Sequence, residues 1–135
     1  MIEALVAALG VATANVEAEG ARLERLRAKL EAGVAAEVNG RGAPRAPGTT
    51  NFRFPGADGE ALLIALDLEG ICVSSGAACA SGSLTPSHVL TAMGLSSTQA
   101  QESLRLSWGR GTTEADIDRA IEAINRLAPR ARATP

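Results

Sequence analysis

The sequence predicts an α+β fold: a small, mostly antiparallel sheet of three to four strands with helices packed on one face, preceded by a long N-terminal helix. Three observations lead there. Apolar residues recur at helical spacing in the first thirty residues and again at Ile117, Ile121, Ile124 and Leu127. Two stretches between them, residues 49–54 and 103–108, alternate polar and apolar residues at period two. The 135 residues suit a single domain, and 46% hydrophobic with 21% charged residues is a globular composition able to bury a core.

Each element follows from local pattern. Over residues 1–32, Ile2, Leu5, Val6 and Leu9, then Leu23, Leu26 and Leu30, fall three or four apart, with Glu24, Arg25, Arg27 and Lys29 on the other side. This reads as one long helix or two abutting ones. Gly10 and Gly20 are its expected weak points, each costing about 1 kcal/mol relative to alanine. Residues 33–38 form a short β-compatible run closed by the Asn39-Gly40 turn signal, and the Gly/Pro/Arg-rich residues 41–48 form a loop.

Residues 49–54 are a half-buried strand ending at Pro55-Gly56. After Asp58, the apolar residues Ala61, Leu62, Ile64, Ala65, Leu66 and Leu68 predict a short helix stopped at Glu69-Gly70. Ile71-Cys72-Val73 is a brief extended run, in which Cys72 is expected to be a core residue. Residues 74–83, none of them large or charged, predict a mobile loop around Cys79. Thr85-Pro86 starts the next helix with a hydroxyl cap and a first-turn proline, with Val89, Leu90 and Met93 on its buried side. Residues 96–99 cap a further short helix, residues 103–108 form a strand, and residues 113–116 cap the last helix. The chain thus divides into a helical segment, 1–32, an α+β unit, 33–128, and a disordered tail, 129–135.

Composition excludes several functions. Three aromatic residues, Phe52, Phe54 and Trp108, against 27 alanines give an aliphatic core and no base-stacking platform. The net charge is −2, with twelve arginines and one lysine interleaved with acids, so no basic footprint for nucleic acid or membrane emerges. No apolar run approaches a membrane span, and an acid at Glu3 without a basic leader argues against a signal peptide, so a cytoplasmic setting is expected. Two cysteines and one histidine are too few for a structural zinc site, and no metal is expected.

Chemistry concentrates at Cys79. A cysteine on a loop of small residues is accessible, but the thiolate is the reactive form, and an ordinary cysteine with a pKa near ~8.5 needs a nearby cation to favour it. His88 and Arg105 are candidates to supply one; the competing reading of Cys79 is a small buried residue. The competing reading of Arg105 is a solvated strand residue in a surface ion pair.

Residues 71–81, followed by Thr85-Pro86-Ser87-His88-Val89-Leu90, resemble the active-site cysteine loop of cysteine desulfurases, class-V aminotransferase-like enzymes, in the group with the longer mobile loop. Asn51-Phe52-Arg53-Phe54 with Gly59-Glu60-Ala61-Leu62-Leu63, and Ser103-Leu104-Arg105-Leu106-Ser107-Trp108-Gly109-Arg110 with Thr112-Thr113-Glu114, resemble the flanking segments in the same order. Ala77, where the family often has serine, and Gly82 are departures that remove no needed group.

The resemblance implies that Cys79 is the nucleophile that takes sulfur from L-cysteine as a persulfide, leaving alanine, and passes it to iron-sulfur or other acceptor proteins. It implies that Arg105 binds the substrate carboxylate and that His88 is only a first-turn helix residue. In the family, pyridoxal phosphate sits on a lysine of a large domain. Here Lys29, the single lysine, lies on the polar face of the first helix and is unlike that residue, so no cofactor-binding residue is expected in this chain. The resemblance is therefore to the C-terminal small domain, expected to be inactive without a pyridoxal-phosphate-binding large domain in the same or a separate chain. An exposed apolar stripe on the first helix makes self-association a further expectation. A second reading, from a different class, is a stand-alone sulfur-relay or interaction module whose Cys79 accepts a persulfide from another donor.

Overall fold

Helices α1 (Ile2–Ala14) and α2 (Val16–Gly33) open the chain. The computed structural model describes residues 2–75 and 86–132. The two helices meet at Asn15, not at Gly10 or Gly20, both of which stay helical. Asparagine favours the cap position over a helix interior, and the acids Glu17 and Glu19 in the next turn suit the positive end of α2. No α1 side chain is buried. Its Ile2, Leu5, Val6 and Leu9 are 61–79% exposed, so the apolar stripe of the first helix lies open.

The expected strand over 33–38 shrinks to β1 (Glu37–Val38). Gly33 still belongs to α2, where a Cβ would come within 2.6 Å of the Ile121 side chain. The Asn125 side chain then donates to the Gly33 carbonyl at 2.7 Å and accepts from the Ala35 amide at 3.0 Å, occupying backbone groups that a longer strand would use. Strands β2 (Thr49–Arg53) and β3 (Ser103–Ser107) form where period-two alternation predicts them. The sheet is antiparallel throughout, in the order β1-β2-β3.

Helices α3 (Gly59–Leu68), α4 (His88–Ala92), α5 (Ser97–Gln101) and α6 (Glu114–Leu127) complete the fold. Asp58 caps α3, and Thr113 with Asp116 forms a reciprocal capping box on α6. Gly70, at φ +74°, ends the turn after α3 in the left-handed region that glycine tolerates. The core lies between one sheet face and helices α2, α3 and α6: Thr50, Phe52, Leu104 and Leu106 from the strands meet Leu26, Leu30, Leu62, Leu66, Ile117 and Ile124. Phe52, Leu62, Leu66, Leu104 and Ile124 are fully buried.

Helix α4 starts later than the Thr85-Pro86 signal suggests. Its cap is Ser87, and of the three residues expected on its buried side only Leu90 is buried, while Val89 and Met93 are half exposed. A five-residue helix presents too short a face to bury all three. Of the tail 129–135, residues 130–132 are bonded: the Ala131 carbonyl accepts from Asp58 N–H at 2.8 Å, and Ala57 pairs with Arg132. Residues 133–135 lie outside the described residues. Among the described residues no helix is long and apolar enough to cross a membrane.

Candidate functional site

The sheet face away from the core carries Thr49, Asn51, Arg53, Ser103, Arg105 and Ser107, because side chains alternate along each strand. Register pairs Asn51 with Arg105 and Arg53 with Ser103. Backbone bonding decides how close these pairs are. Arg105 donates its N–H to Ser74 at 2.7 Å and accepts from the Ser74 N–H at 3.0 Å, while the Asn51 carbonyl accepts from Asn39 N–H at 2.9 Å. Both backbone groups of Arg105 therefore point away from β2, and Asn51–Arg105 is a non-hydrogen-bonded pair, the kind whose Cα atoms lie about 4.5 Å apart.

Two arginines share this face and differ in environment. Arg53 is held by Glu37 at 2.7 Å and by Glu102 at 3.6 Å. Arg105 is exposed, and its guanidinium has no ion-pair or hydrogen-bond partner among the described residues. The ion pair of the competing reading is thus missing there, and the cation is available to an anion.

Beside it runs a polar chain. The Ser103 hydroxyl donates to the Gln99 carbonyl at 2.7 Å and accepts from Asn39 Nδ2 at 3.1 Å; Asn39 Nδ2 also donates to Asn51 Oδ1 at 2.6 Å. Ser103 is fully buried at the end of the face closed by α5. Asn51 carries no chemical signal in the sequence beyond its place in an alternating strand, and only the register with β3 sets it beside Arg105.

Ser74 is the start of the segment 74–83. Cys79 and residues 76–85 lie outside the described residues. His88 is the first residue of α4, as the reading of a first-turn position has it. Cys72 is not a core residue: it is exposed, with its Sγ 3.8 Å from Asp67 Oδ1. Once Gly70 turns the chain, alternation along the extended run tucks Ile71 and Val73 against the core and leaves Cys72 outward. It borders a cavity of about 120 Å³ whose wall includes Leu30, Ser107, Trp108 and Ile117.

Lys29 bonds Asp118 at 2.8 Å and pairs with Glu114 at 3.5 Å. The hydrogen bond to Asp118 raises its pKa against the opposing effect of burial, with both carboxylates adding Coulombic attraction. Lys29 is thus a protonated ammonium engaged with α6. Among the described residues no group of three or more His, Cys, Asp or Glu is placed to hold a metal.

The family model for class-V aminotransferases matches residues 2–120. The chain is 52% identical over 114 residues to a cysteine desulfurase of Trichormus azollae, covering 81% of this chain and 28% of that protein. It is 44% identical over 140 residues to an IscS-like cysteine desulfurase of Mycobacterium tuberculosis, covering 95% of this chain and 36% of that protein. Its fold matches the crystal structure of a NifS-like protein from Rickettsia africae with a TM-score of 0.75 and 30% identity, covering 88% of this chain and 31% of the other. The chain spans 28% to 36% of the length of these relatives.

Proposed function

The chain belongs to the class-V aminotransferase family, and from that premise we propose that it is the cysteine-bearing part of a cysteine desulfurase. Cys79 takes the sulfur of L-cysteine as a persulfide, alanine is released, and a separate acceptor protein receives the sulfur. Arg105 holds the substrate carboxylate through its planar fork.

The observation that carries this reading is the Ser74–Arg105 bridge. The segment leading to the cysteine is fastened to the backbone of a strand residue, Arg105, whose exposed guanidinium has no ion-pair or hydrogen-bond partner among the described residues. Cys79 follows Ser74 by five residues, a contour of at most about 18 Å. A tether of that length permits the thiol to approach a small amino acid held at Arg105.

Pyridoxal phosphate, which the family implies, supplies an electron sink for the bond changes at the substrate. The described residues do not fit it. A Schiff base needs a free amine, whereas Lys29, the single lysine of the chain, is an ion-paired ammonium on α2. The cofactor therefore belongs to another part of the catalyst, in the same or a separate polypeptide, and the chain alone is inactive on cysteine.

The test uses intact-mass analysis after incubation with a persulfide donor. A gain of one sulfur is expected in the wild type and in Cys72→Ala, and none in Cys79→Ala. A gain that persists in Cys79→Ala overturns the assignment of the nucleophile. Steady alanine production from cysteine by the chain with added pyridoxal phosphate overturns the need for a second part.

A further inference from the structure

We infer that Asn51 is a second donor to the substrate carboxylate, set beside Arg105 by the strand register and held in its donating orientation by the hydrogen-bond chain that begins at Gln99. The inference rests on the carboxylate role proposed above for Arg105 and adds a positioning and specificity residue to it.

Polarity is the first part of the argument. An asparagine amide can present either its oxygen or its nitrogen to a ligand, and here the neighbours decide. The Gln99 carbonyl can only accept, so the Ser103 hydroxyl spends its hydrogen there at 2.7 Å. Ser103 Oγ must then accept from Asn39, which fixes Nδ2 of Asn39 toward it at 3.1 Å. The remaining hydrogen of that NH₂ goes to Asn51 Oδ1 at 2.6 Å. Each step dictates the next, and the last leaves the Nδ2 hydrogens of Asn51 as the open end, with no partner among the described residues.

Proximity is the second part. Asn51 and Arg105 form a non-hydrogen-bonded cross-strand pair, the closer of the two antiparallel arrangements, so their side chains leave the sheet as neighbours. Asn51 is half-buried, and its Oδ1 is tethered, which limits its rotamers.

Charge is the third part. Glu37 and Glu102 are committed to Arg53, so the acids on this face do not quench Arg105. A neutral amide adds donors next to the guanidinium without the repulsion that a second cation would bring. A carboxylate offers about four lone-pair sites, enough for a guanidinium fork and one amide N–H.

The experiment titrates sodium propionate into the 135-residue chain at constant ionic strength, following the Arg105 Nε–H and Asn51 Nδ2–H₂ signals by ¹H–¹⁵N NMR. In the wild type both signals move together along one binding curve. Asn51→Ala is expected to weaken propionate binding about tenfold, or about 1.4 kcal/mol. Asn51→Asp keeps the acceptor that Asn39 needs but sets a negative charge against Arg105, and is expected to abolish saturable binding. Backbone amide shifts of β1 and β3 report whether the sheet persists; if Asn51→Ala loses it, the near-isosteric Asn51→Asp decides. Unchanged affinity in either folded variant, with the Arg105 signal still moving, overturns the inference and leaves the Arg105 reading standing. A wild-type Arg105 signal that does not move overturns the Arg105 reading, and the inference with it.

Discussion

Replacing Glu31 tests the polar contact that pins the loop between β1 and β2 to the rest of the domain. Glu31, on α2, accepts from Arg45 at 2.8 and 3.2 Å and from the Thr50 hydroxyl at 2.7 Å. Thr50 is 2% exposed, and the Glu31 and Arg45 side chains are 12% and 19% exposed, so water cannot readily replace a lost partner. A hydrogen bond to a charged group contributes about 1.5–3 kcal/mol, and the amide introduced by Glu31→Gln would retain part of that set while leaving Arg45 without its counter-charge. A loss of about 2 kcal/mol is expected for this substitution, or roughly 8 °C in Tm for a domain of this size.

The pH dependence fixes the cause. Burial pushes the Glu31 carboxyl up, but hydrogen bonds from Arg45 and Thr50, with the charges of Arg45 and Arg27, outweigh it, and its pKa lies below the ordinary 4.5. A depressed carboxylate contributes stability that is complete above the unfolded value and lost as pH falls through the folded one. Urea unfolding of wild type and Glu31→Gln should therefore differ by about 2 kcal/mol at pH 7, and the gap should close as pH falls below the ordinary carboxylate range and through the lowered Glu31 pKa. Glu19, Glu69 and Asp116, also depressed, are common to both proteins and cancel in the difference. A gap below about 0.5 kcal/mol at pH 7, or one that stays constant into acid, refutes the reasoning.

Three further outcomes follow from packing. Gly59→Ala places a Cβ into overlap with the Gln101 carbonyl oxygen, backbone that cannot swing aside; a loss of about 1–3 kcal/mol is expected by urea denaturation. Deleting residues 1–14 removes a helix with no buried side chain and should change the unfolding free energy by less than about 0.5 kcal/mol. Cys72→Ser, at an exposed position, should also stay within about 0.5 kcal/mol in the same assay; a larger loss would restore the core reading of Cys72.

Local signals were readable where period and caps agreed. Strands β2 and β3 and helix α6 lie where alternation and capping residues put them, because each element's own residues carry both its face and its ends. The helix break falls at Asn15, a poor helix-interior residue whose side chain makes no capping bond, while Gly10 and Gly20 stay helical because about 1 kcal/mol each does not suffice to end a helix. Cys72 was misplaced because a run of three apolar residues does not reveal which of them faces in. Cys79 is marked in the sequence by its loop of small residues, and the roles proposed for Cys79 and Arg105 come from resemblance, whereas the Asn51–Arg105 neighbourhood depends on a register between residues more than fifty positions apart, which no local pattern encodes.

The short β1 has a consequence for how this domain can meet other proteins. One margin of the sheet is a two-residue strand whose Glu37 side chain is paired with Arg53, and along the other, among the described residues, Ser74 sits across β3 at Arg105. Strand addition needs a run of free backbone groups, and among the described residues neither margin offers an uninterrupted one beside the Asn51–Arg105 pair. Side chains and helix surfaces are what this part of the domain presents instead, and they can change without rebuilding the sheet.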